Sequence, residues 1–240
     1  MKTFLPATLL LQAILSTGAA FDHSTFDSVL KQHVDRAGQV DYAGLKANRS
    51  SLDDYLVKTG AVDRSQFSGW SESEQLAFLI NVYNAETLQL IIDHYPVASI
   101  KKIGGLLSSP WDKKAVVLFG SETTLDHIEH GIIRVKYPEP RIHFALVCAA
   151  KGCPPLRNEA YTAAKLEAQL ESQTRTFLAE SSKNRIEGNT IHLSPIFDWY
   201  GEDFERGGKT VSDYVAPYME GGTSGKKVKF TDYDWSLNAQ

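Results

Sequence analysis

The apolar positions change their period several times along the chain, and each change predicts an element. Phe26, Val29, Leu30 and Val34 recur at helical spacing over Ser24 to Val34, as do Leu52, Tyr55 and Leu56 over Ser51 to Val57. Both read as amphipathic surface helices. The stretch "WSESEQLAFLINVYNAETLQLIIDHYP" differs: Ser71 and Glu74 stand in capping-box spacing, the pattern runs about six turns, and it stops before Pro96. Its apolar residues occupy nearly every face, which predicts a buried central helix. "KAVVLF" reads as a strand, and "TTLDHIEHGIIR" as a helix capped by Thr123 or Thr124. "RIHFALVCA" has the composition of a buried strand ending in a Lys151-Gly152 turn. Ala163 to Leu178 predicts another amphipathic helix, "RIEGNTIHL" a hairpin about Gly188-Asn189, and "SPIFDWYGEDFE" a helix with Ser194 as cap and Pro195 at its first position. "VSDYVAPYM" adds a short helix, and "KVKF" after "GGTSGKK" a glycine-hinged last strand. Strands scattered among helices, with at least one hairpin, predict an α+β fold: a mixed or antiparallel sheet packed against the central helix and the amphipathic ones.

The first twenty residues interrupt that picture. Lys2, an apolar run to Leu15 and the small residues Gly18-Ala19-Ala20 have the order of a secretory signal peptide, so residues 1–20 are expected to be a leader and 21–240 a single domain. The product is expected to be secreted or periplasmic, with no transmembrane segment after cleavage. Removing Lys2 with the leader leaves 24 basic against 29 acidic residues, a net charge of −5. That balance, without clustered Lys and Arg, argues against nucleic acid as a partner. No glycine-rich phosphate loop is present, and no cofactor is expected.

Five ordered stretches go together. "FLINVYNAETL", "LDHIEHGIIR", "RIHFALVCAAKGCPPLR", "IFDWYGEDF" and "DYDWSLN" resemble the uncharacterised family catalogued as domain of unknown function 547, over roughly Ser71 to the C-terminus. The resemblance implies an exported protein, as bacterial members often look, and assigns no activity. A distant similarity to papain-like thiol enzymes is a further expectation, carried by no motif of its own.

The two cysteines, Cys148 and Cys153, admit three readings. An oxidising compartment favours a disulfide, which would stabilise the fold by only about 2 kcal/mol in the chain-entropy model. A regular strand, however, points Cys148 and Cys153 to opposite faces, so a distorted turn would be needed. As metal ligands, His127-x-Glu129 followed by Cys-x4-Cys departs from the zinc deaminase order in cysteine spacing and in the missing proline, and no fourth ligand is defined; no metal is expected. As a nucleophile, Cys153 sits at an exposed corner before Pro154, with Cys148 inert in the apolar run. In a strand His143 would lie roughly 20 Å from Cys153, so the base is expected from the facing helix, as His127 or His130. Asn81 and Asn84, buried amides in an apolar helix, either bond crossing backbone or, with His143, shape a binding pocket. The acids Asp198, Glu202 and Asp203 suggest a glycosidase pair only weakly, being close in sequence.

The leading expectation is a cysteine-dependent hydrolase or acyl transferase acting on a peptide or amide bond. The alternative is a non-catalytic extracytoplasmic binding domain with a structural cysteine pair and a small-molecule or peptide ligand.

Overall fold

A computed structural model describes residues 20–105 and 108–240; the expected leader lies, but for Ala20, outside the described residues. The first four helices are α1 (Ser24–His33), α2 (Tyr42–Ala47), α3 (Ser50–Gly60) and α4 (Arg64–Ser68); α2 and α3 pack on the central helix α5 (Glu72–His94), and α1 packs on α2 and α3. The capping box is in place: Glu74 N–H donates to Ser71 Oγ (3.3 Å) and Ser71 N–H to Glu74 Oε2 (2.7 Å). Every residue from Gln75 to Leu88 is buried, as an all-round apolar pattern requires.

A hairpin follows, β1 (Val116–Leu118) with antiparallel β2 (Ser121–Thr123), turning through Phe119 and Gly120, both at positive φ. Thr124 Oγ1 accepts the His127 N–H (3.0 Å) and opens the next helix, whose stretch His127–Ile133 is π-helical before it tightens into α6 (Arg134–Lys136). The chain then forms α7 (Ile142–Ala145), α8 (Leu166–Leu178), the hairpin β3 (Arg185–Glu187) and β4 (Thr190–Leu193), α9 (Ile196–Trp199), α10 (Gly201–Phe204), α11 (Val211–Val215) and β5 (Lys227–Phe230). Strand β4 pairs antiparallel with β3 and parallel with β5, so the expected α+β class and mixed sheet are the ones observed. Among the described residues no helix is long and apolar enough to cross a membrane.

One element differs from its sequence reading. Ile142–Ala145 is a short helix rather than a strand, and the chain beyond it is extended only to Ala149, which turns at φ 55°. An apolar run that is buried on all sides needs its backbone groups paired, and here a side chain replaces the neighbouring strand. Asn84 Nδ2–H donates to the Ala145 carbonyl (2.9 Å) and Asn84 Oδ1 accepts the Val147 N–H (3.0 Å). One turn earlier on α5, Asn81 clips Tyr161 in the same two-bonded way, at 2.8 and 2.9 Å.

Two apolar clusters result. The larger surrounds α5 and takes in Ile142, Ala145 and Val147; the smaller joins Phe177 of α8, Leu193 of β4, Phe197 and Phe204. Phe144 belongs to the smaller cluster, so successive residues of α7 are shared between the two. The candidate site lies at this joint.

Candidate functional site

A cavity of about 220 Å³ opens where α5, the His127–Ile133 turn, α7, the cysteine loop, α9 and the C-terminal tail meet. The tail is fixed by backbone bonds to the loop: Lys151 N–H to Ser236 O (2.9 Å) and Gly152 N–H to Asp234 O (2.8 Å). A Cβ on Gly152 would stand 2.8 Å from the Tyr233 ring, so the close approach of the tail needs glycine there. This crossing carries Tyr233 and Trp235 into the cavity wall.

Cys148 and Cys153 both line the cavity and are joined in a disulfide, with Cα atoms 6.1 Å apart. The strand reading had them facing apart; the left-handed turn at Ala149 and the loop after it bring them together. Their exposure is also the reverse of the expectation. Cys153 is buried under the returning tail, whereas Cys148 is half-buried, its Sγ 3.0 Å from the Tyr233 hydroxyl. Cys153 Sγ accepts the Cys148 backbone N–H (2.8 Å).

His143 reaches the same cavity because α7 is a helix; the long separation calculated for a strand does not apply. Its Nε2 lies 2.7 Å from Asp203 Oδ2, and Asp203 also accepts from Arg134 Nε (2.6 Å) and Arg206 (2.6 Å). Burial alone would raise the Asp203 carboxyl, but the His143 and Arg134 hydrogen bonds outweigh it and hold it well below the usual carboxylate range. For His143 burial is the larger effect and pushes the imidazole down, against the pull of Asp203. The pair is therefore a neutral imidazole donating Nε2–H to a carboxylate whose charge the arginines balance. That bond leaves Nδ1 as the unprotonated nitrogen. Tyr200 stacks on the ring at 3.8 Å and fixes its plane.

Glu129, also buried, accepts from the Tyr83 hydroxyl (2.9 Å). Burial and the Glu129 charge push the Tyr83 and Tyr200 phenols up, which keeps them as O–H donors. His130 stands at the rim, its Nδ1 accepting from Arg134 (2.8 Å). His127 is exposed and lies outside the cavity lining. Asn81 and Asn84 do not line it either, since their amides are taken up by the backbone they clip. Of the residues expected at a site, the structure brings together Cys148, Cys153, His130 and His143. Sequence reasoning named Glu129 only within the metal-ligand spacing and did not single out Tyr83, Tyr233 or the Asp203–His143 partnership; the signal for Tyr233 lay in the "DYDWSLN" stretch.

Among the described residues no group of three or more His, Cys, Asp or Glu side chains could hold a metal ion.

An α+β domain with a buried His–Asp pair beside a cysteine pair is thus the class defined by fold and site. The chain carries a domain of the DUF547 family, a protein family of unknown function, whose model matches residues 67–178. The match takes in α5, His143 and both cysteines and ends before Asp203 and the tail, so it is shorter than the resemblance read to the C-terminus. No curated protein and no solved structure matches the chain. Nothing in these comparisons supports a similarity to papain-like thiol enzymes.

Proposed function

We propose that the cavity is the active site of a thiol-dependent acyl transferase or hydrolase acting on a peptide or amide bond in an extracytoplasmic compartment. Cys148 is its nucleophile once the cysteine pair is reduced, and His143 its base. The observation that carries this reading is the His143–Asp203 pair, whose imidazole lines the same cavity as both sulfurs. A base needs a third group to hold its tautomer, and Asp203 fixes Nε2–H so that Nδ1 is free to take a proton. Cys148 is the more exposed sulfur, and the Tyr233 hydroxyl beside it favours a thiolate by hydrogen bonding. Cys153, buried and bonded to the Cys148 N–H, is the resolving partner.

Activation requires an external dithiol that supplies two electrons and two protons to the disulfide and is itself oxidised. The Cys148 proton then passes to His143 Nδ1 as the sulfur–carbonyl bond forms and the carbonyl electron pair moves to oxygen. Collapse breaks the carbon–nitrogen bond, and His143 returns the proton to the leaving amine. Water or a second amine finally displaces the sulfur from the acyl group.

The test is brief alkylation of reduced protein with iodoacetamide, read by mass spectrometry in the parent and in His143→Ala and His130→Ala. Cys148 should be labelled first, and at about pH 6 its rate should fall about tenfold or more in His143→Ala while His130→Ala leaves it unchanged. Equal rates at both cysteines, with the pH profile of an ordinary thiol and no response to His143→Ala, would refute the reading. The closed disulfide and the aromatic wall favour the alternative of a binding domain, and that result would leave it standing.

A further inference from the structure

The charge around the cavity is unbalanced in one direction. Its acidic lining groups are Glu129 and Asp126, and among the described residues no Lys or Arg lines it. Arg134 and Arg206 are committed to Asp203, and Arg134 also donates to His130. Glu129 is 6% exposed, and the hydrogen bond it accepts comes from the neutral hydroxyl of Tyr83. His130 Nε2 approaches its other oxygen only to 4.0 Å, and His130 Nδ1 is taken up by Arg134. A buried carboxylate held by neutral donors alone keeps part of its desolvation cost, which a cation would offset.

The walls suit such a cation. Trp199 and Trp235 stack 5.8 Å apart, Tyr233 lies 4.8 and 4.5 Å from them, and Trp111 faces Trp235 at 6.0 Å. Aromatic faces attract ammonium groups through the ring quadrupole. The Trp235 ring already receives one cation, Lys101 Nζ at 3.8 Å, from a residue outside the cavity lining. A volume of about 220 Å³ is below that of pockets for drug-sized ligands and matches a side-chain-sized group.

We infer that the cavity seats an organic ammonium group, with its charge on Glu129 and its carbons against Trp199, Tyr233 and Trp235. This rests on and deepens the thiol reading above: the substrates would carry an ammonium group near the acyl carbon presented to Cys148. The binding itself needs no thiol, so it is measured on the oxidised protein.

Three of the four tryptophans, Trp111, Trp199 and Trp235, line the cavity, which makes their fluorescence the readout. The oxidised protein is titrated at constant ionic strength with butylammonium, tetramethylammonium, butanol and butyrate. The two ammonium ions should give a saturable change, at affinities about tenfold or more above butanol, and butyrate none. Glu129→Gln, which keeps an acceptor for Tyr83, should weaken butylammonium on the order of tenfold or more and butanol little. Trp199→Leu, at the exposed mouth, should weaken both ammonium ions, and it decides the matter if Glu129→Gln does not fold. No saturable change with either ammonium ion, equal affinity for butanol or butyrate, or unchanged butylammonium binding in a folded Glu129→Gln or Trp199→Leu protein overturns the inference. Any of these would leave the alkylation of Cys148 in reduced protein to stand or fall by itself.

Discussion

Glu86 sits in the middle of α5, 7% exposed, between two surface hollows that it shares with Gln89, Asp93 and Ala115. Burial pushes its carboxyl up to about 8; Asp93 adds to the effect, and the Val117 backbone N–H opposes it. The unfolded chain ionises this group near pH 4.5, the ordinary value. Between those two values the unfolded state binds fewer protons than the folded one, so stability is present below pH 4.5 and is lost as pH rises towards 8. At 1.36 kcal/mol per unit, the loss reaches about 3 kcal/mol at pH 7 and about 5 kcal/mol above pH 8. Glu86→Gln removes the ionisation, keeps the shape, and brings a donor one turn from Gln89 Oε1, which is buried without a partner. The variant should therefore match the parent near pH 4.5 and exceed it by about 3 kcal/mol at pH 7. Urea unfolding followed by circular dichroism at several pH values between 4.5 and 8 reads the difference directly. A gap between variant and parent that stays constant with pH would refute the reasoning, whatever its size.

Two further perturbations test other parts of the fold. Asn84→Leu leaves the Ala145 carbonyl and the Val147 N–H buried and unpaired, which should cost about 2–6 kcal/mol at 1–3 kcal/mol per lost partner; an unchanged denaturation midpoint would refute the clipping role. His23 is bonded to the Tyr55 hydroxyl (2.7 Å), and burial pushes its imidazole down to about 4 despite Asp22. Because this folded value is below that of the unfolded chain, His23 should take about 3 kcal/mol from the parent as pH falls from 6.5 to 4, against the gain that Glu86 brings over the same range; relative to the parent, His23→Gln should gain about that much between pH 6.5 and 4, and a gap that stays constant would exclude His23 as a cause.

What was legible in the sequence was local. Ser71 and Glu74 are three residues apart and make the capping box from their own backbone, and the β3–β4 turn needs only Gly188 at positive φ. The all-round apolar pattern of α5 likewise implied its burial without reference to any other segment. The site was legible in composition and not in arrangement. "RIHFALVCA" reads as a strand because its apolar run needs paired backbone, and nothing within the run reveals that Asn84, some sixty residues earlier, supplies the pairing. The error then spread, since a strand separates His143 from Cys153 and turns the cysteines apart. Asp203 looked like one of several acids on a solvated helix, and its partner His143 lies 60 residues away. Cys153 looked exposed because its own neighbours are turn formers; the tail that buries it arrives from residues 232–238.

The helix α7 explains why the site depends on both cores at once. A helix advances about 100° per residue, so four consecutive residues face all round the axis. Ile142 and Ala145 enter the cluster around α5, Phe144 enters the cluster around α8, and His143 is left for the seam between them. The polar groups of the seam are held by bonds that cross it: Asp203 from α10 grips His143, Arg134 from α6 grips Asp203, and Tyr83 from α5 grips Glu129. Each cluster therefore fixes one side of the cavity, and the hydrogen bonds fix the distance between the sides. Loosening either core would separate His143 from Asp203 before it unfolded the chain, because a 2.7 Å contact is lost to a displacement smaller than a side chain. The geometry that orients His143 is thus a property of the junction, and neither cluster contains it alone.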